Sequence, residues 1–204
     1  MASTYFNNFK GMTYTLEANT IPNQVLTNVL ARVAFREGLI SDAHLFYPYQ
    51  VKESDSPEII AHKLYGSPHD YWIVTLFNNI IDPLMDWPMT YISFQAYIIE
   101  EYGSLETAQT TIHHYEKIVE KTTSEGYYSS FTYWIDETEY DTLVVPIAEV
   151  FTFSDGSTAS VTTSRNSVTV YDYETILNEN RRNIKLLKPD YTSIVKQELE
   201  RLSL

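Results

Sequence analysis

The residues with the best claim to chemistry stand together at His113-His114-Tyr115-Glu116. Imidazoles beside a carboxylate suggest a metal site or an acid–base pair. The run that holds them, Ile112 to Lys121, alternates and is rich in β-branched residues, which makes it a strand. Neighbouring strand residues point to opposite faces, so the two imidazoles are expected on opposite sides, unable to share one ion. The helical H-E-x-x-H spacing is also missing. The cluster is therefore read as structural, as are His44, His62 and His69, and no metal or cofactor is expected.

Other chemistries fare no better. Acids are plentiful, but Glu100-Glu101 and the run Asp136-Glu137 with Glu139 have the pattern of solvated faces, and Asp136 to Asp141 is expected to be a loop. The six glycines are scattered and form no phosphate-cradling loop. No G-x-S-x-G elbow occurs, and the absence of cysteine removes thiol nucleophiles, disulfides and thiolate zinc sites together. An enzyme has no residue to stand on.

The bulk properties narrow the partners. With 14 Lys+Arg against 27 Asp+Glu, the net charge is −13, a field that repels nucleic acid and anionic membranes. No run approaches the roughly 20 apolar residues of a membrane span. The first ten residues lack the basic start and apolar stretch of a secretory signal, so a soluble protein made in a cytosol is expected. At 204 residues and 44% hydrophobic, the chain can bury a real core. Its 17 tyrosines and three tryptophans suit either protein interfaces or an aromatic-rich interior.

The elements that must position these residues follow from periodicity. The stretch to about Thr20 reads as an extended arm, and Ile21 to Arg36 as a helix, with a strand possible near Val33-Ala34-Phe35. Tyr49 to Lys52 alternates as a short strand. Ser56-Pro57-Glu58 then opens a helix with Ile60 and Leu64 on one face, ended by Gly66. Ser67-Pro68-His69-Asp70 starts a second helix, with Asp70 as a capping-box acid and Trp72, Ile73, Leu76, Phe77 and Ile80 buried. A helix carries Phe94, Tyr97 and Ile98 up to Gly103, and Ser104 opens another to Gln109. Strands follow at 112–121 and 127–135 across Ser124-Glu125-Gly126, then a hairpin around Asp155-Gly156. Asp172 caps a helix with Ile176, Leu177, Ile184 and Leu187, and Asp190 caps a last one with Ile194, Val195, Leu199 and Leu202.

The strand–helix–helix order at 49–80 resembles the LysM module, with Val51, Asp55, Ile60-Ala61, Tyr65-Gly66 and Asn78 at its signature positions. That resemblance implies a groove for N-acetylglucosamine polymers. After Ile80, however, Asp82-Pro83-Leu84-Met85-Asp86-Trp87-Pro88 replaces the module's closing strand.

A broader resemblance covers about residues 20 to 202. Leu64-Tyr65-Gly66-Ser67-Pro68-His69-Asp70-Tyr71-Trp72, then Asn78-Asn79, Asp82-Pro83 and Trp87, is similar to the baseplate wedge protein 53 family of contractile-tailed phages. So is the closing stretch with Tyr173-Glu174, Asn178-Glu179-Asn180, Arg182, Ile184-Lys185 and Pro189. Two separated anchors in the right order are more specific than either alone. The family implies a non-enzymatic virion protein of the tail baseplate, assembled in the host cytoplasm, with other wedge proteins and neighbouring wedges as partners and no small-molecule substrate. The expected fold is α+β, divided into an arm and helix (1–48), a LysM-like helical segment (49–103), a β-rich insertion (104–171) and C-terminal helices (172–204). Trp87, Trp134, Tyr65, Tyr133, Arg181 and Tyr191 are the interface candidates, while Trp72 belongs to the core. A glycan-binding LysM protein is the alternative, and a cell-wall hydrolase a third reading.

Overall fold

A computed structural model of the chain describes Tyr5, Phe9 and residues 11–14, 24–27 and 43–203. The fold is α+β, and the described residues form three antiparallel sheets with helices between and after them. The chain divides into two compact units: residues 1–90 with 179–204, and residues 91–178.

In the first unit, β1 (Gly11–Tyr14) pairs antiparallel with β2 (Gln24–Thr27). The helix expected over Ile21–Arg36 therefore gives way to a strand at 24–27, where Val25 and a neighbouring chain segment favour the extended state. The rest of that expected helix lies outside the described residues. Next come β3 (Phe46–Gln50), α1 (Pro57–Tyr65) and α2 (Tyr71–Phe77). Ser56 accepts the Ile59 amide at the start of α1, Pro57 fills its first turn, and Gly66 ends it at φ 79°. The Ser67-Pro68 corner forms a single 3₁₀ turn, Pro68–Asp70, before α2. Asp70 does not act as a capping-box acid there: its buried carboxylate accepts Lys196 Nζ at 2.7 Å.

The second unit contains α3 (Tyr91–Tyr102) and α4 (Leu105–Thr110), the latter capped by Ser104 as expected. A four-stranded sheet follows, from β4 (Ile112–Thr123), β5 (Tyr128–Ile135), β6 (Ile147–Thr152) and β7 (Thr158–Thr169), in the order β5-β4-β7-β6. Between β5 and β6 the expected acidic loop is instead α5 (Glu137–Thr142). Asp136 accepts the Glu139 amide at 2.8 Å, and Glu137 and Glu139 sit at the positive helix end, so the acids promote the turn rather than merely solvating it.

Helix α6 (Val170–Arg181) carries the boundary between the units. Its start is capped by Thr169, whose Oγ1 accepts the Asp172 amide, and not by Asp172. The helix does not reach Ile184 or Leu187. Those residues form β8 (Asn183–Leu187), paired antiparallel with β3 from Phe46↔Leu187 to Gln50↔Asn183. Ile184, Leu186 and Leu187 are buried there, and filling the open edge of β3 overrides a spacing that would also suit a helix. Asp190 lies inside a 3₁₀ turn, Pro189–Tyr191, which has no side-chain cap, and α7 (Thr192–Ser203) ends the described chain.

The first unit's core lies against the β3–β8 pair. One cluster joins Phe46, Trp72, Ile73, Phe77, Leu187, Val195 and Leu199, with Tyr5 and Phe9 packed on it. The other joins Val51, Ile60, Ala61, Val74, Ile184 and Leu186. Trp72 is thus a core residue, and the Tyr5 ring lies 5.4 Å from it. The second unit buries Phe94, Ile98, Ala108, Ala159, Val168 and Val170.

Candidate interaction surfaces

The two sequence anchors meet in space. Asn78, just past α2, donates Nδ2–H to the Lys185 carbonyl and accepts the Lys185 amide on Oδ1, each at 2.8 Å. The Tyr65 hydroxyl donates to the Leu187 carbonyl at 3.1 Å. Asn78 thus bonds to a residue 107 positions further along the chain, in β8.

Arg182 holds the same junction from the other side. Its buried guanidinium donates to Glu53 at 2.7 Å, to Glu179 at 2.8 Å and to the carbonyls of Val51 and Met89. Burial alone would ease its proton off, yet the two carboxylates hold its pKa above the usual arginine value. A lysine has no such planar fork. Adjacent arginines look alike in sequence until α6 ends and the chain turns into β8, so patterning had no signal for which would be buried.

Asp55 forms a second node. Its side chain is fully buried and accepts Tyr49 Oη at 2.6 Å, Lys63 Nζ at 2.9 Å and the Lys52 amide at 3.1 Å. Burial pushes the carboxyl up, but these donors outweigh it and leave it below the ordinary range. The bond to Asp55, with burial second, pushes the Tyr49 hydroxyl up to about 12. Nearby, Tyr47, Tyr49, Ile60, Lys63, Leu64 and Leu186 line a shallow cavity of about 210 Å³. Its wall is apolar, and the polar ends of Tyr49 and Lys63 are already engaged by Asp55. A sugar would find few hydrogen-bonding partners there.

The histidines do not fall on opposite sides. The register slips between Ile112 and His114, and the bulge turns both rings together, with Nδ1 atoms 2.8 Å apart. His114 stacks on Trp134 at 4.1 Å and His113 on Tyr173 at 3.8 Å. His114 Nε2 meets Glu116 at 3.2 Å, so that nitrogen carries the proton donated to the carboxylate. Among the described residues no group of three or more His, Cys, Asp or Glu is arranged to hold a metal ion.

The six interface candidates are spread over both units. Tyr65 and Trp87 are half-buried in the first and use their polar ends internally, Trp87 Nε1 donating to the Asp55 carbonyl at 3.2 Å. Arg181 is half-buried, near the Asp86 carboxylate, and Tyr191 lies exposed before α7. In the second unit Tyr133 and Trp134, consecutive on the edge strand β5, are 54% and 64% exposed on opposite faces of the sheet. No described helix is long and apolar enough to cross a membrane.

The family model described as base plate wedge protein 53 matches residues 1–202. The chain is also similar to the baseplate wedge protein gp53 of Enterobacteria phage T4, 25% identical over 154 residues that cover 72% of this chain and 68% of the relative. The match spans both anchors that Asn78, Tyr65 and Arg182 tie together, and the chain belongs to the base plate wedge protein 53 family.

Proposed function

We propose that this chain is a non-enzymatic component of a contractile-tail baseplate wedge, assembled in the host cytoplasm, which binds other wedge subunits and helps join neighbouring wedges. The observation that carries this reading is the family match over nearly the whole chain. Two features of the molecule agree with it. The well-partnered polar groups of the first unit, Asp55, Asn78 and Arg182, are spent on holding the fold. The second unit exposes large apolar residues on its sheet, including Phe131, Tyr133, Val150 and Phe151, as a shared interface requires.

The test is a phage carrying a stop codon early in this reading frame, grown with and without a plasmid copy of the gene. Without the copy, separate wedges should accumulate and complete baseplates should be missing; with it, both should return to normal. Normal baseplates without the protein would refute the proposal. Retention of the purified chain on insoluble peptidoglycan, competed by chitin fragments, would favour the glycan-binding alternative instead.

A further inference from the structure

In an antiparallel ladder, alternate residues bond inward and the residues between them face away. At the end of β4 the Thr123 amide donates to the Tyr127 carbonyl and the Ser124 amide to the Thr158 carbonyl. Carried along the register, β4 bonds β5 through its odd-numbered residues and β7 through its even-numbered ones. On β5, Ser129, Phe131 and Tyr133 therefore bond inward. The N–H and C=O groups of Tyr128, Ser130, Thr132 and Trp134 face away from the sheet, and among the described residues nothing bonds them.

The other edges of this sheet and of the β3–β8 pair are guarded. On β8 the outward groups of Lys185 are taken by Asn78, and the outward Leu187 carbonyl by the Tyr65 hydroxyl. On β3 the same alternation turns Phe46, Pro48 and Gln50 outward, and Pro48 has no N–H to offer at the middle. Strand β6 starts behind Pro146 and carries Glu149. Natural sheets blunt exposed edges with such devices. Strand β5 has none of them: its eight residues include no proline, glycine or charge. Large aromatic side chains flank its edge on both faces, Phe131 and Tyr133 on one, Tyr128 and Trp134 on the other, each more than half exposed. A chain that guards its other edges and leaves this one open has a strand to put there.

We infer that the β5 edge takes up an extended segment of another wedge subunit as an added strand, uncharged along its middle and basic at its ends. The outward N–H and C=O groups select an extended backbone, and the aromatic side chains on both faces select aromatic or β-branched neighbours. Behind the edge, β4 alternates Glu116 and Glu120 with Lys117 and Lys121, so its middle favours neither sign. The ends are acidic: Glu125 stands exposed in the hairpin before β5, and Asp136 and Glu137 stand exposed after it. Lys or Arg answers them. A second copy fits worse. Antiparallel pairing of the whole of β5 with itself sets Tyr128 opposite Trp134 and brings Glu125 towards Glu137 at both ends, and opposed like charges destabilise a sheet. The inference rests on the wedge role proposed above and adds the edge used and the partner's chemistry.

Proline at an outward position provides the test, because it deletes an N–H that the chain itself does not bond and leaves the ladder to β4 whole. Ser130→Pro and Thr132→Pro, made in the full chain, should melt close to the parent. Their binding to wedges purified from the phage lacking this protein should fall at least about tenfold. Ala148→Pro, at an outward position of β6, should bind like the parent. Hydrogen exchange reads the same edge without a substitution. The amides of Ser130, Thr132 and Trp134 should exchange freely in the free chain and at least about tenfold more slowly on the wedge, while those of Val150 and Thr152 stay unchanged. Glu125→Lys should weaken wedge binding about fivefold. Parent-like binding by both β5 proline variants, no added protection on the wedge, protection that appears when the free chain is concentrated, or indifference to Glu125→Lys would overturn the inference while leaving the wedge role standing. Failure of the unsubstituted chain to bind those wedges would remove both.

Discussion

Asn78 and Lys185 exchange two hydrogen bonds, side-chain amide to backbone peptide, and by that exchange the end of α2 is fastened to β8. The pairing gives Lys185 what a neighbouring strand would give it, since β8 has β3 on only one side. Asn78→Ala leaves the Lys185 amide and carbonyl without this partner and should cost about 1–3 kcal/mol in chemical denaturation. Asn78→Asp should cost as much, because a carboxylate replaces the donor that faces the carbonyls of Val74 and Lys185. Hydrogen exchange at the Lys185 amide should accelerate in both variants, and unchanged protection would count against the clamp.

Arg182 serves two carboxylates and two carbonyls at once. Arg182→Lys keeps the charge but cannot reach all four, so a loss of about 2–4 kcal/mol is expected. Glu53→Gln, at an exposed partner, should lose less than about 1 kcal/mol. Equal losses from both changes would show that charge alone matters at this junction.

The Asp55–Tyr49 contact sets a pH window. Asp55 has its folded pKa below the free value of 3.8, so its contribution is present above that value and disappears as pH falls through the lower folded one. Tyr49 is raised from 10.0 to about 12, so its contribution is present below 10.0 and is lost as pH rises through about 12. Asp55→Asn should lower stability by about 2 kcal/mol at neutral pH and flatten the acid limb of a melting-temperature profile. Tyr49→Phe should flatten the alkaline limb. An acid limb identical to the parent's in Asp55→Asn would exclude this node as its source.

Gly66 ends α1 at φ 79°, and a Cβ built there meets nothing within 4 Å. Any penalty for a side chain is therefore a backbone penalty. Gly66→Val should cost at least about 1 kcal/mol and Gly66→Asn distinctly less, because asparagine tolerates the left-handed region. Equal melting temperatures for the two variants would contradict this view of the corner.

How much of this was readable in advance depended on how local each cause was. The Ser56-Pro57 start, the Gly66 stop, the Ser104 cap and the hairpin at Asp155-Gly156 are decided within a few residues, and patterning found them. Ile184 and Leu187 were misread as helical because their strand state depends on β3, far earlier in the chain. The histidine pair was misplaced because a bulge breaks the strict alternation that separates neighbours. Asp136–Asp141 was misread for a different reason: its charges looked like solvation when they were also capping signals. Of the surface, Tyr133 and Trp134 could be picked out by residue type. Which backbone groups of β5 face outward emerges only once the register of β4 against β5 is known.

The most direct measurement is a cryo-electron microscopy reconstruction of the phage tail baseplate. It should show this chain in every wedge, touching another wedge protein, with its β3–β8 pairing intact. A baseplate without this chain, or one in which it touches no other wedge protein, would contradict the account.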